Sequence, residues 1–540
     1  MNIRKKVHNH PFLQRLRTSL NGGLPPWYFL LPTLLVGISV LIPLAYLLLR
    51  AFEADRALSV ELVFRPRNLL LLYNTVLLAV STLIVTTLLA LPLAWITSRT
   101  RIPGRSVLTL LGVLPLAIPG YVMAYALLGF TGEDGTLNSV FGIHLPRLSG
   151  FTGALTAISL YTFPYLYLNF RSALSGLDPS LEEVARSLGC RPYETFFRVV
   201  VPQLRPAYYA GALIIFLYVL GDFGAVSLMR FETFSYAIYL QYAASYDRVY
   251  AAWLALMLLT LTSSALIFEY KLLRGLFFHR AGTGTGKKTQ LTELGAWKWP
   301  AYFFVTILVL VSIVLPVSTI IFWMLDAMPL ERTDSLVRAL RASFTASAPA
   351  AFLATLLAIP LAYNSLRYPS RISRGLERVA YLGYATPPLA FALALIFLTL
   401  GAVPFLYQTL AILIIAYTLH FLAEAIGPVR SSLYQASPRL EEAARSLGYG
   451  RLKAFFLTTL PVMRNGIIVS AAFVFMSAMK ELPITFLLAP VGFETLAVNV
   501  WSSTSEAMYS RAAPYAFVIL LISTLFTGLL FAREWFIKRN

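Results

Sequence analysis

The chain has 540 residues, 58% of them hydrophobic and only 13% charged, with a formal net charge of +19. Soluble globular chains carry about twice that share of charge, so too few polar groups remain to coat a water-facing surface, and most of this chain must meet lipid. The single cysteine, Cys190, excludes an internal disulfide framework, and the five histidines are scattered without metal-ligand spacing.

The basic start MNIRKKVHNHPFLQRLRTSL runs into a long apolar segment with no small-x-small cleavage pattern. That reads as a retained first span, not a removed signal peptide. A helix crossing about 30 Å of hydrocarbon needs about 20 mostly apolar residues. Twelve segments meet that length. They are 27–49, 70–97, 106–130, 151–170, 207–229 and 249–270, then 300–325, 344–366, 379–401, 404–423, 465–489 and 512–532. An even count puts both termini on one side. With both in the cytoplasm, 32 of the 44 Lys and Arg fall in inner segments, against 11 of the 25 Asp and Glu. This is the pattern that the positive-inside rule expects of a multi-pass membrane protein. It also argues against nucleic acid as a partner, because the basic residues are spread over many short loops of one face.

The loop after the fourth span contains "EEVARSLG" at 182–189, which returns as "EEAARSLG" at 441–448. The two belong to a longer ungapped match, 171–205 with 430–464. "LALPLAW" (89–95) also pairs with "LAIPLAY" (357–363), and "FET" (231–233) with "FET" (493–495). The chain is a tandem duplication of a six-span unit. Six is even, so the copies have the same orientation, and a pseudo-two-fold axis along the membrane normal is expected. The expected organisation is a cytoplasmic segment 1–26, a first half 27–278, a cytoplasmic linker 279–299 and a second half 300–540.

Each octapeptide reads as one short helix. Asp178-Pro179 and Ser437-Pro438 are an N-cap followed by Pro at the first helical position. Glu182, Glu183, Glu441 and Glu442 lie in the early turns, where the helix dipole favours negative charge. Gly189 and Gly448 stand where a left-handed cap ends a helix. Leu181, Val184, Ala185 and Leu188 recur at helical spacing as an apolar stripe, matched by Leu440, Ala443, Ala444 and Leu447. Arg186 and Arg445 are spaced to pair with the glutamates of their own helix. Phe196-Phe197 and Phe455-Phe456 supply aromatic anchors, and Pro202 and Pro461 mark the turn into the next span. An amphipathic helix resting on headgroups usually carries Lys and Arg on its polar face. Paired glutamates point instead to a protein partner, one that is itself two-fold symmetric.

The linker contains GTGTGKKT, which imitates a phosphate-binding loop. Ala281 stands where the first Gly of that pattern belongs, and Lys288 replaces its Ser/Thr, so a flexible linker is the better reading. Two ionisable residues fall inside spans at equivalent repeat positions, Asp222 in LGDFG and Glu481 in KELPI. Gly221, Gly224 and Pro483 flank them, so both helices are expected to break there. These carboxylates line a translocation pathway for a cation, or cap the broken helices, or, at Glu481, pair with a neighbouring cation such as Lys480. Tyr239, Tyr242 and Tyr246 read as interface-belt aromatics, and His420 as an interhelical hydrogen-bonding group.

At Glu442-Ala443-Ala444, Gly448 and Pro461 the chain resembles the permease subunits of ATP-binding-cassette importers. The first copy, Glu183-Val184-Ala185, Gly189 and Pro202, departs from that signature at Val184. Two six-span halves in one chain are similar to the ferric-iron importer permeases. The resemblance implies an all-α integral membrane protein of the type I importer fold, twelve helices in two parallel six-helix repeats. It implies two cytoplasmic ATPase subunits and a periplasmic substrate-binding protein as partners. ATP and Mg would be used by the ATPases, with no cofactor, catalytic residue or metal ligand on this chain. Glu182, Glu183, Ala185, Arg186, Gly189, Glu441, Glu442, Ala444, Arg445 and Gly448 would couple to the ATPases. Ferric iron is the expected cargo, with thiamine, phosphonate or polyamine as alternatives. An ion-gradient-driven secondary transporter is the competing class; it would have no use for paired docking helices.

Overall fold

The computed structural model describes residues 25–53, 56–244, 247–273, 291–326 and 333–537. The basic start, the GTGTGKKT stretch and Tyr246 lie outside them. Among the described residues the fold is all-α, with one isolated bridge between Thr100 and Thr292.

Eight helices are long and apolar enough to cross a membrane, or eleven if each of three sharply bent pairs forms one span. The expected count of twelve is therefore not reached on length and apolarity. The shortfall is at the fourth span. Its helix, Gly150–Gly176, is 27 residues long, but Thr, Tyr, Ser and Asn dilute its apolar character. It is packed along its length against Pro66–Arg99, so hydroxyls that lipid would reject are tolerated there.

The third and ninth predicted spans are bent pairs. Arg105–Ala117 meets Gly120–Phe130 at 94°, and Arg371–Ala385 meets Pro388–Ala402 at 106°. Both bends sit at matching repeat positions and have the same cause. Pro119 and Pro387 push the residue before them, Ile118 or Thr386, into extended backbone, and the helix cannot continue. The third bent pair has no twin. Pro192–Gln203 meets Arg205–Gly221 at 61°, whereas Arg451–Met479 runs through as one span. The first half has Pro206 where the second has Asn465. Pro206 lacks an N–H and its ring crowds the carbonyl one turn back, which opens the helix there.

Two compact units emerge, and they interleave the halves of the duplication. One gathers the helix Trp27–Ala51 with residues from Asp334 to Val498. The other runs from Val60 to Thr333 and takes Asn499 onward. Trp27–Ala51 packs on Arg371–Ala385 and Pro388–Ala402, while Leu315–Asp326 packs on Gly120–Phe130 and Tyr509–Ile537. The opening span of each half thus joins later helices of the other half. Asn364, buried in the first unit, seals one such contact by donating to the Phe29 carbonyl and the Thr33 hydroxyl, each at 2.9 Å.

The FET turns repeat in three dimensions. The residue before each turn is left-handed, Arg230 at φ 55° and Gly492 at φ 78°. After each turn a backbone N–H is caught by a hydroxyl from the second span of its own half. Phe234 N donates to Thr75 Oγ1 at 3.1 Å, and Leu496 N to Ser343 Oγ at 2.9 Å.

Candidate functional site

The two octapeptides form nine-residue helices, Pro179–Ser187 and Pro438–Ser446. Each is opened by the predicted cap: Asp178 accepts from Ser180 N at 3.0 Å, and Ser437 from Arg439 N at 3.4 Å. Each closes in a Schellman motif. Gly189 N donates to Arg186 O and Cys190 N to Ala185 O; Gly448 N and Tyr449 N do the same to Arg445 O and Ala444 O. Gly189 and Gly448 have φ of 87° and 88°, where a side chain would be strained. Five-residue π turns follow at matching positions, Phe196–Val200 and Phe455–Thr459. They point one phenylalanine of each pair inward: Phe196 packs edge-on against Trp95 at 4.9 Å, and Phe455 against Tyr363 at 5.4 Å. Their neighbours Phe197 and Phe456 stay exposed.

The faces of these helices are not divided as simple periodicity suggests. Of the predicted stripe only Ala185 and Ala444 are buried. Leu181, Val184 and Leu188 are exposed, as are Leu440, Ala443 and Leu447; Leu188 and Leu447 are each 79% exposed. Glu183 and Glu442 lie on this open side, with Arg186 and Arg445. The first glutamate of each pair turns the other way. Glu182 meets Arg99 at 3.1 Å, with only 12% and 3% of the two side chains exposed, and Arg186 reaches the other carboxylate oxygen at 3.9 Å. Glu441 accepts from the Tyr363 hydroxyl at 2.7 Å and from Thr459 Oγ1. Each helix therefore presents an apolar ridge with one exposed glutamate and is tied to its own unit by the other.

Asp222 and Glu481 sit at the expected helix breaks. Asp222 ends Arg205–Gly221 and caps Gly224–Leu228, its Oδ1 accepting from Ala225 N at 2.9 Å and Val226 N at 3.1 Å, while Tyr161 OH donates to Oδ2 at 3.0 Å. Gly120 lies so close that a Cβ there would stand 2.9 Å from Asp222 Oδ2. Glu481 caps Pro483–Leu488 through Ile484 N at 3.0 Å. The capping role weighed for both residues is thus present in the geometry.

Glu424 is inconspicuous in the sequence because it stands at the C-terminal end of a long apolar run. Ser477 Oγ donates to it at 2.6 Å, bridging Leu410–Gln435 to Leu460–Met479. The equivalent positions of the first half, Tyr165 and Tyr218, are also bonded, hydroxyl to hydroxyl at 2.7 Å with stacked rings. A polar bridge between these two helices is common to both halves; its charge belongs to the second alone. Tyr239 leans on Phe223 and Trp501 at 5.0 and 5.9 Å. His420 is buried and its Nδ1 donates to the Gly383 carbonyl at 2.9 Å, as its interhelical reading requires. Among the described residues no group of three His, Cys, Asp or Glu could hold a metal ion.

Residues 57–278 and 353–539 both match the family described as binding-protein-dependent transport system inner membrane component. The chain is 35% identical over 504 residues to the Fe(3+)-transport system permease protein FbpB 2 of Haemophilus influenzae, covering 92% of this chain and 97% of that one. The sulfate transport system permease protein CysT of Escherichia coli is 30% identical over 198 residues, 36% of this chain and 70% of its own. The molybdenum transport system permease protein ModB of the same organism is 36% identical over 138 residues, 24% of this chain and 58% of its own.

Proposed function

The chain belongs to the binding-protein-dependent transport system inner membrane component family as a fused two-half permease, and from that premise we propose that it carries ferric iron into the cytoplasm, driven by two separate ATPase subunits. The class is not at issue: it is a multi-pass permease of an ATP-binding-cassette importer. What supports iron is the extent of the likeness to the Fe(3+) permease, which runs through both halves and the linker between them, while the sulfate and molybdenum permeases match a third of the chain or about a quarter. The charges inside the spans agree. Asp222, Glu424 and Glu481 against Lys480 favour a cation over an oxyanion. Asp222 and Glu481 line the route in this reading while also capping the broken helices.

The helices Pro179–Ser187 and Pro438–Ser446 are the ATPase docking elements, facing the cytoplasm with both termini. Their exposed ridges carry this reading. Leucines left 79% exposed at Leu188 and Leu447, beside Glu183 and Glu442, have the apolar and acidic character of a protein-docking surface and not of a headgroup-binding helix. Binding and hydrolysis of ATP with Mg belong to the partners, and delivery of cargo to a periplasmic binding protein.

Reconstitution of the full chain with its ATPase and binding protein tests both parts. Uptake of ferric iron in preference to sulfate and molybdate is expected, reduced by Asp222→Asn or Glu481→Gln. Uptake of an oxyanion in its place would overturn the cargo. Glu183→Lys with Glu442→Lys is expected to abolish ATPase co-purification while the permease still accumulates in the membrane; retained assembly would refute docking through these helices.

A further inference from the structure

We infer that Arg99 is the positioning residue of the first docking helix, acting through Glu182, and that Tyr363 and Thr459 position the second through Glu441. The inference rests on the docking reading above and divides each glutamate pair into one docking and one anchoring residue.

The geometry carries it. A docking helix transmits force only if it moves with its bundle, and backbone continuity alone leaves a nine-residue helix between two turns free to pivot. In each unit the inward glutamate ties the helix to the bundle. Glu182 is inside, against an almost fully buried guanidinium at the end of the second span. That span end is itself held. Thr292 N donates to Arg99 O at 2.8 Å, Arg101 N donates to Thr292 O at 3.0 Å, and the Arg101 and Glu293 side chains pair at 3.1 Å. The linker's last residues thus clamp the backbone that carries the anchor. Arg99 Nη2 and Glu182 Oε1 meet at ion-pair distance but outside hydrogen-bond alignment, so charge, not direction, holds them.

In the second half the residue equivalent to Arg99 is Arg367, which bonds the Ala436 carbonyl instead. Glu441 is held there by two hydroxyls. Their first-half counterparts are Trp95 and Val200, neither of which can donate an O–H. Both hydroxyl donors are therefore present in the half that lacks the arginine contact and absent from the half that has it. One function, fixing the inward glutamate, is met by an ion pair on one side and neutral donors on the other.

The test places a spin label on Ser187→Cys, and separately on Ser446→Cys, in full-length Cys190→Ser protein. Arg99→Met is expected to free the label at 187, shortening its correlation time several-fold, and to leave the label at 446 unchanged; Tyr363→Phe with Thr459→Val should do the reverse. Because Arg99→Met strands a buried carboxylate, Arg99→Met with Glu182→Gln is measured beside it, and the exchanged pair Arg99→Glu with Glu182→Arg should restore the ordered spectrum. In proteoliposomes with the ATPase, Arg99→Met with Glu182→Gln should keep ATPase co-purification while cargo moved per ATP falls several-fold. An unchanged label at 187 in Arg99→Met and in Arg99→Met with Glu182→Gln would overturn the inference. Loss of ATPase binding by the wild-type chain would instead refute the docking reading, with the label mobilities still deciding the anchor.

Discussion

The helices Pro179–Ser187 and Pro438–Ser446 are nearly identical in sequence and end in the same hydrogen bonds, yet the bundles around them grip them by different means. In the first half a charge is sunk into the protein to meet Glu182; in the second, Tyr363 and Thr459 reach Glu441 without introducing charge. A buried ion pair is strong only while both partners remain, since removing one leaves the other stranded at a large desolvation cost. Neutral donors lose less when one is deleted, because the second continues to serve the acceptor. The halves should therefore tolerate mutation unequally although they perform the same task.

The largest expected effect follows from that inequality. Glu182→Ala leaves Arg99 buried and uncompensated and should destabilise the protein by about 3–5 kcal/mol. Tyr363→Phe, which leaves Thr459 on Glu441, should cost about 1–2 kcal/mol. Thermal unfolding of the two purified variants measures both, and equal losses would erase the contrast. Next is the proline difference. Asn465→Pro inserts a proline into the unbroken Arg451–Met479 span and should cost roughly 3 kcal/mol while bending it toward the 61° seen in the first half. Distances between labels on the two sides of residue 465 report the bend, and a straight helix would mean that Pro206 is not the cause. The smallest effect concerns the left-handed residue before each FET turn. Arg230→Gly should gain, and Gly492→Ala lose, about 1 kcal/mol, because only Gly occupies that conformation without strain. Nothing lies within 4 Å of a Cβ built at Gly492, so the loss would be backbone strain alone.

Much of this was legible in the chain. Caps at Asp178 and Ser437, left-handed stops at Gly189 and Gly448, and breaks at Asp222 and Glu481 are local events, set by residues a few positions apart. The sorting of the helix faces was not legible. Periodicity placed Leu181, Val184, Ala185 and Leu188 on one stripe but could not say that only Ala185 would be covered, because coverage depends on what the bundle supplies. Arg99 and Tyr363 were invisible as anchors for the same reason: 83 residues separate Arg99 from Glu182 and 78 separate Tyr363 from Glu441. Aligning the halves does expose one signal, the joint change from Trp95 and Val200 to Tyr363 and Thr459, readable once the inward glutamate is known.

Composition and the repeat by themselves determined that this chain lives in lipid, is helical, and was built by copying one multi-span unit, since hydropathy and self-similarity are properties of residues in order. Only the tertiary structure decided that the opening span of each half packs with the other half's helices, that predicted spans three and nine turn through about a right angle, and which glutamate of each pair faces inward. A span's hydropathy declares that it must be buried in something apolar and is silent on which neighbour will cover it, because dispersion and hydrophobic burial have no address of their own.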